Sequence, residues 1–170
     1  MGNIGLLHLP LDTIFFVRKL LSQGTDIELH TYISGEYSLH FKNALSNLIN
    51  FKSYSLIDPD QIPKIFKEPT VTLVPLTKAA SDCAFPSRIS TALSLGSPIL
   101  LITDILKNNY LVSFIERFKI GKAVLIHSDG ELIIESFLDL AINFKIYSEN
   151  SFKTYKNLFQ EEENFKNLVE

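Results

Sequence analysis

The segment Thr77–Arg88 carries the residue types best suited to binding an anion. It connects a predicted strand, Thr70–Leu76, to a predicted helix that begins at Pro86. Proline suits the first turn of a helix, and Phe85 before it has no side-chain acceptor for the free N–H groups of that turn. Such a terminus favours negative charge through its N–H groups and its dipole. The segment therefore predicts a site for an anion such as a phosphate.

Arg88 strengthens this prediction, because its planar guanidinium can donate two parallel hydrogen bonds to phosphate oxygens. Hydroxyl residues Ser87, Thr91 and Ser94 follow at helical spacing and share one face of the predicted helix. The alternative is that Arg88 is a surface residue at a helix start and that the hydroxyls are solvated. The opposite face is apolar and is formed by Ile89, Ala92 and Leu93.

The four histidines and the single cysteine show no metal-ligand spacing. His8 and His127 lie where they could face a cleft, whereas His30 and His40 are expected to be structural or exposed. Cys83 lies near the predicted anion site, but no partner base is apparent, so we expect it to be a small buried packing residue. No serine-nucleophile elbow, Walker-type loop or complete dinucleotide fingerprint occurs.

Composition narrows the class of protein. The 170 residues carry 16 basic and 19 acidic side chains, with a net charge of −3 and a pI near 5.8, which argues against a nucleic-acid binder. One cysteine excludes an internal disulfide framework. No apolar run reaches the length of a membrane span, and no signal peptide opens the sequence. We therefore expect one cytoplasmic domain over residues 1–170.

Apolar periodicity predicts that strands and helices alternate along the whole chain. This alternation is typical of an α/β fold, a doubly wound (Rossmann-like) parallel sheet of about six strands with helices on both faces. Ligands bind such a sheet outside the carboxyl ends of its strands. The clearest predicted strands are Ile27–Ser34, Leu48–Leu56, Thr70–Leu76, Ile99–Thr103 and Ala123–Ile126. The predicted helices are Leu11–Leu21, Glu36–Asn47, 58–66, Pro86–Leu95, Ile105–Phe118, Asp129–Phe144 and one from Glu149.

The run Pro86-Ser87-Arg88, followed by Ala92-Leu93-Ser94-Leu95-Gly96-Ser97-Pro98, resembles a signature of group 1 glycosyltransferases. It is similar to their Pro-Ser-Lys and Leu-Ala-x-Gly-x-Pro-Val pattern, in the C-terminal, donor-binding domain of the GT-B fold. Weaker similarities keep the family's order along nearly the whole chain. Gly2-Asn3-Ile4-Gly5 resembles the family's glycine turn, and Asn50-Phe51 to Tyr54 resembles its third strand.

The resemblance implies a nucleotide-sugar donor as substrate, with neither a metal nor a further cofactor. Transfer of a hexose-type sugar to an acceptor glycan or lipid is the implied activity. The donor diphosphate would lie between Ser87 and Arg88 on one side and Gly2 and Gly5 on the other. The nucleoside and sugar would be bound by Ser53, Tyr54, Leu56, Pro86 and Thr91.

The chain departs from the family's pattern at two positions. Many members have two glutamates, which align here with Cys83 and Thr91, so the catalytic residues are unassigned.

The resemblance also implies a second half of the enzyme. This acceptor-binding half would come from an N-terminal domain or a partner subunit, and any peripheral membrane association would come through that half. The family's first strand is either Ile4–Leu9, which we favour, or lost. The alternative function is a non-catalytic module of the same fold that acts through a protein partner.

Overall fold

The computed structural model describes residues 2–3, 8, 10–22, 27–66, 68–83 and 85–159. The strands are β1 (Gly2–Asn3), β2 (Leu29–Ser34), β3 (Phe51–Tyr54), β4 (Thr72–Pro75), β5 (Ile99–Thr103) and β6 (Gly121–Leu125). The helices are α1 (Pro10–Ser22), α2 (Ser38–Leu45), α3 (Ile62–Ile65), α4 (Lys78–Cys83), α5 (Ser87–Ser94), α6 (Tyr110–Phe118), α7 (Gly130–Ile142) and α8 (Phe144–Phe159). A 3₁₀ turn, Pro59–Gln61, precedes α3.

All strand pairs are parallel, as the sequence predicts, but the strands form two small sheets. One has the order β1-β2-β3 and the other the order β4-β5-β6. Residue pairs Leu29 with Phe51 and Ile99 with Gly121 set the register within the two sheets. The prediction of one sheet of about six strands is therefore wrong for the described residues, in which β1 and β4 are not hydrogen-bonded to each other.

Within the described residues, β1 consists of Gly2 and Asn3. We expected the first strand at Ile4–Leu9, but His8 lies in a 3₁₀ turn and α1 begins at Pro10, the first-turn position that proline favours. Residues 4–7 and 9 lie outside the described part of the chain. Among the described residues, Gly2 and Asn3 are in strand conformation, opposite Ile33 and Ser34 at the end of β2.

The strand β5 is the centre of the hydrophobic core, because all five of its residues are buried. Successive side chains of a strand point to opposite faces of the sheet. Ile99 and Leu101 pack in a cluster with residues of α5 and α6. Leu100 and Ile102 pack in a second cluster with residues of α1 and α7. Helices therefore cover both faces of the sheet β4-β5-β6.

The helix α1 links the two sheets. Its residues Phe16 and Leu20 belong to the cluster around Leu100, whereas Ile14 and Val17 belong to a third cluster with α2. Leu29, Ile33 and Phe51 of the sheet β1-β2-β3 pack against this third cluster.

Side chains that cap backbone groups account for two differences from prediction, the later start of one helix and the presence of another. The helix predicted from Ile105 begins at Tyr110, since the buried Asn109 side chain accepts hydrogen bonds from the amides of Leu111 (3.0 Å) and Val112 (3.4 Å). The segment after β4, expected to be a loop, forms α4. Asp104 Oδ1 accepts from the Lys78 amide at 2.7 Å, and Thr77 Oγ1 accepts from the Ala80 amide at 3.2 Å.

The C-terminal helix begins earlier than predicted, at Phe144, directly after α7. Tyr155 and Phe159 pack against the cluster around Ile99, whereas Phe152 is exposed. Within the described residues, no helix is both long enough and apolar enough to cross a membrane.

Candidate functional site

The N-terminus of α5 carries no side-chain cap, as the sequence predicts, but the helix begins one residue later than predicted. Pro86 stands at the N-cap in an extended conformation, with φ −68° and ψ 126°, and within the described residues no side chain caps the helix. Ser87 is exposed and Arg88 is half-buried. The first amides of the helix and the Arg88 side chain therefore lie on the same turn.

Arg88 is held by a histidine that is 80 positions away in the sequence. Its Nη2 donates a hydrogen bond to His8 Nε2 at 2.9 Å. Because a guanidinium only donates, this contact requires an unprotonated Nε2 on His8. Burial lowers the pKa of the Arg88 guanidinium below its ordinary value, but an arginine side chain keeps its charge in proteins. The contact thus orients a positive charge at the start of α5.

His8 is in turn anchored to the start of α1. Its carbonyl oxygen accepts a hydrogen bond from Thr13 Oγ1 at 3.1 Å, and the Thr13 side chain is buried. His8 lies in the segment that follows β1, and Arg88 lies in the helix that begins soon after β4 and α4. The fold therefore brings together the segments that follow the carboxyl ends of β1 and β4. Sequence spacing placed His8 among the candidate cleft residues but held no signal for its partner.

The glycines predicted to face Arg88 are placed differently from expectation or lie outside the described residues. Gly2 belongs to β1 and is paired with Ile33, so it is part of a strand rather than of the turn. Gly5 lies outside the described residues. Of the predicted glycine turn at residues 2–5, therefore, only residues 2 and 3 are described.

The residues predicted to flank a nucleoside lie two strands from β1. Ser53 and Tyr54 end β3, Leu56 follows it, and all three are exposed. Since neighbouring strands are about 4.8 Å apart, β3 lies roughly 10 Å from β1 across the sheet. The Tyr54 ring stacks on that of Tyr32, with a centroid distance of 4.9 Å. Within the described residues, Arg88 and His8 are brought into contact, while these three residues remain on a separate strand edge.

The hydroxyl face of α5 is partly used by the helix itself. Ser90 Oγ donates to the Ser87 carbonyl and Ser94 Oγ donates to the Thr91 carbonyl, each at 2.8 Å. Such bonds to a preceding carbonyl are common for serine within helices. The Ser94 hydroxyl is therefore satisfied within α5 itself. Thr91 is half-buried and lies one turn beyond Ser87.

Cys83 does not take the buried packing role that we expected, because it is exposed at the end of α4. The helix α4 ends there, four residues before α5 starts, and the side chain lies outside the core. His127 and His40 are exposed, and His30 hydrogen-bonds Glu28.

A buried polar network supports the loops beside this site, and sequence analysis missed it. Asn109 Nδ2 donates to Thr103 Oγ1 at 3.1 Å, and Ser81 Oγ donates to Asn109 Oδ1 at 3.1 Å. All three side chains are buried. The network connects the end of β5 to α4 and α6. Asn109 lies inside the helix predicted over Ile105–Phe118, and the preference of asparagine for N-caps was the available signal for a later helix start.

The acidic residues near the site have structural partners. Asp104 caps α4 through its contact with the Lys78 amide, and Lys78 Nζ forms an ion pair with Asp82. No group of three His, Cys, Asp or Glu side chains within the described residues is arranged to hold a metal ion. The arrangement can bind and orient an anion through Arg88 and the amides of α5.

Comparison of the chain with models of protein families, with curated proteins and with solved structures finds no match. Two features of the chain bear on its function, the motif at Pro86–Pro98 and the contact between Arg88 and His8.

Proposed function

We propose that this chain is the donor-binding half of a glycosyltransferase that uses a nucleotide sugar. The observation that carries the proposal is the hydrogen bond between Arg88 and His8 at the N-terminus of α5. It supports an anion site formed by the segments that follow β1 and β4. The resemblance of Pro86–Pro98 to the family's signature gives the anion its chemical class, a sugar-nucleotide diphosphate.

A finer fold assignment belongs to this proposal. If the two sheets are taken as halves of one doubly wound, Rossmann-like arrangement, the strand order is β3-β2-β1-β4-β5-β6. The switch in direction then falls between β1 and β4. Ligands of such folds bind at this switch point, outside the carboxyl ends of the strands. His8 and Arg88 follow those two strands, so their contact lies at the position that this order assigns to the ligand.

The chain's own residues would act on the leaving group. The amides of Ser87 and Arg88 and the α5 dipole would face the diphosphate, and the guanidinium would donate to its oxygens. Charge that develops on the diphosphate as the glycosidic bond breaks would be stabilised by donors that are already oriented. His8 would position Arg88 by accepting its hydrogen bond. Acceptor activation would come from an N-terminal domain or a partner subunit, so we expect transferase activity only with that half.

The proposal is tested by NMR titration of the chain with uridine, guanosine and adenosine diphosphates and with inorganic diphosphate. We expect saturable shifts at Ser87, Arg88 and Thr91 for at least one nucleotide. Arg88→Gln should weaken that binding by roughly tenfold or more, because a hydrogen bond to a charged group contributes about 1.5–3 kcal/mol. Arg117→Gln, a matched change on the exposed face of α6, should leave the affinity unchanged.

Two results would contradict the proposal. One is the absence of any perturbation at Ser87, Arg88 and Thr91 with every nucleotide and nucleotide sugar tried. The other is equal binding by the Arg88→Gln and unsubstituted chains. Binding of inorganic diphosphate alone, with no added affinity from a nucleoside, would retain the anion site and remove the nucleotide-sugar assignment.

A further inference from the structure

A small cleft lies at the amino-terminal edge of the sheet β4-β5-β6, at the opposite end of α5 from Arg88. Its volume is about 190 Å³. The segment before β4, the C-terminal end of α5 and the start of α8 form its walls, and the residues that line it include Phe66, Glu68, Leu95, Gly96, Phe144 and Ser148. Arg88 and Leu95 are roughly 10 Å apart along the helix axis. The cleft is therefore separate from the proposed anion site.

Gly96 lets the end of α5 and the start of α8 approach each other closely beside the cleft. It follows α5 in the left-handed conformation, with φ +64°, which glycine adopts without steric cost. A Cβ atom placed on Gly96 would lie 2.9 Å from Ser148 Oγ. Ser148 Oγ has no hydrogen-bond partner among the described residues. Backbone and one hydroxyl group, rather than an apolar side chain, therefore border the cleft on this side.

The α5 end of the cleft offers hydrogen-bond acceptors rather than donors. The amides of Leu95, Gly96 and Ser97 all donate to carbonyls of the last turns of α5. Ser97 Oγ donates to the Thr70 carbonyl at 2.7 Å, and Thr70 Oγ1 donates to the Glu68 carbonyl at 2.8 Å. No group in the described part of the chain donates to the carbonyl oxygens of Leu95 and Gly96. A ligand of the cleft must therefore bring hydrogen-bond donors.

The charges around the cleft are negative. The C-terminal end of a helix carries partial negative charge, and α5 ends at the cleft. The exposed Glu68 side chain adds a carboxylate that has neither an ion pair nor a hydrogen bond to another described residue. Phe66 and Phe144 are half-buried and add two aromatic rings, whose faces attract cations. These groups together suit a ligand with a positive charge and a small apolar body.

We propose that this cleft binds a small organic ammonium ion. The three N–H groups of a primary ammonium would donate to the Glu68 carboxylate and to the free carbonyl oxygens at the end of α5. Its carbon chain would contact Phe66 and Phe144. The cleft has room for roughly six non-hydrogen atoms, at the volume of about 30 Å³ that one water molecule takes in the liquid. The proposal does not depend on a nucleotide at Arg88.

NMR titration of the whole chain with n-butylammonium chloride tests this proposal. The ionic strength is kept constant and low, because salt screens exposed charges. The control ligand is 1-butanol, which has the same number of non-hydrogen atoms and no charge. We expect n-butylammonium to give saturable shifts at the amides of Glu68, Gly96 and Ser148 and 1-butanol to give none. Equal binding of the two ligands would overturn the proposal, as would the absence of saturable shifts with n-butylammonium.

Two exposed glutamates provide a matched pair of variants. Glu68→Gln should weaken n-butylammonium binding roughly fivefold, since it replaces the charged acceptor with a neutral one of the same size. Glu116→Gln, on the exposed face of α6, should leave the affinity unchanged. Equal affinities of the Glu68→Gln and unsubstituted chains would show that the carboxylate does not hold the ammonium and would contradict the proposal.

The side chain of Lys67 is a second source of the same ammonium chemistry. Lys67 lies between Phe66 and Glu68 in the sequence and outside the described residues. The Lys67→Ala chain should bind n-butylammonium with an affinity within about twofold of that of the unsubstituted chain, because the proposed ligand is a free ion. Binding by the Lys67→Ala chain alone would assign the cleft to Lys67 and overturn the proposal.

Discussion

The two strand sheets are built by different interactions. In the sheet β4-β5-β6, the five residues of β5 are all buried between helices on both faces. In the sheet β1-β2-β3, one face packs against α1 and α2 through residues such as Leu29 and Phe51. The opposite face carries polar and aromatic pairs, in which Lys52 Nζ contacts Glu28 at 2.7 Å and Tyr32 stacks on Tyr54.

This difference shows where the stability and the candidate site reside. Apolar burial contributes roughly 25 cal/mol per Å², whereas exposed ion pairs contribute at most about 1 kcal/mol each. The sheet β4-β5-β6 therefore provides the rigid part of the molecule, and α5 with Arg88 is attached to it. The segment with His8 comes from the less covered sheet. The Arg88–His8 contact thus connects the two parts.

Truncation of a core leucine gives the largest expected difference between the two sheets. Leu101→Ala removes a side chain that is 1% exposed in β5. It should lower the free energy of unfolding by about 2–5 kcal/mol, because it leaves a cavity between packed helices. Leu29→Ala, at a half-buried position of β2, should cost about 1 kcal/mol. Chemical denaturation measures both, and equal losses would contradict the comparison.

Removal of a hydrogen-bonding side chain is expected to have an intermediate effect. Asn109→Ala removes the α6 cap and leaves Ser81 and Thr103 without their buried partner. We expect a loss of about 1–3 kcal/mol in the free energy of unfolding. His30→Ala, which removes an exposed hydrogen bond to Glu28, should change it by less than about 1 kcal/mol. Thermal unfolding of the two variants measures both losses. A loss below about 1 kcal/mol for Asn109→Ala would show that water replaces the hydrogen bonds of the network.

The smallest expected effect concerns acid stability. A hydrogen bond from Tyr147 and the ion pair with Lys122 hold the pKa of Asp139 below its ordinary value. Because the folded-state pKa is the lower one, Asp139 stabilises the fold above about pH 4 and loses this contribution as the pH falls through the folded-state value. Hydrogen bonds from Lys52 and His30 lower the pKa of Glu28 in the same direction.

Asp139→Asn should therefore flatten the decline in stability between about pH 5 and pH 2. Glu28→Gln should flatten it less, since the Glu28 side chain is 50% exposed and that of Asp139 is 36% exposed. The measurement is the urea midpoint at a series of pH values for both variants. A larger change for Glu28→Gln would mean that the exposed pairs of the first sheet are the stronger ones.

Most of the secondary structure was predictable because it depends on local patterns. The five predicted strands from Ile27 to Ile126 all coincide with observed strands, and β5 occupies the predicted residues Ile99–Thr103. Of the first strand expected at Ile4–Leu9, only His8 is among the described residues, and it lies in a 3₁₀ turn. The helix α4 also escaped prediction, since its start depends on Asp104, which is 26 positions away.

The candidate site was likewise predictable only in part. The proline and the arginine at the start of α5 were visible in the sequence, although Pro86 is the N-cap rather than a residue of the first turn. The partner of Arg88 was not visible, because the contact joins residues 80 positions apart and depends on how α1 packs. The nucleoside residues Ser53, Tyr54 and Leu56 were named through the family resemblance, and their role stays a prediction.

The sequence by itself determined the alternation of strands and helices, the parallel sense of the strands and the buried run at β5. These features depend on side-chain periodicity and on proline and glycine, which act within a few residues. Only the tertiary structure decided that the strands separate into two sheets, that Asn109 caps α6 and that His8 holds Arg88. Those outcomes depend on which backbone and side-chain groups find partners far along the chain, and hydrophobic patterning carries no information about such partners.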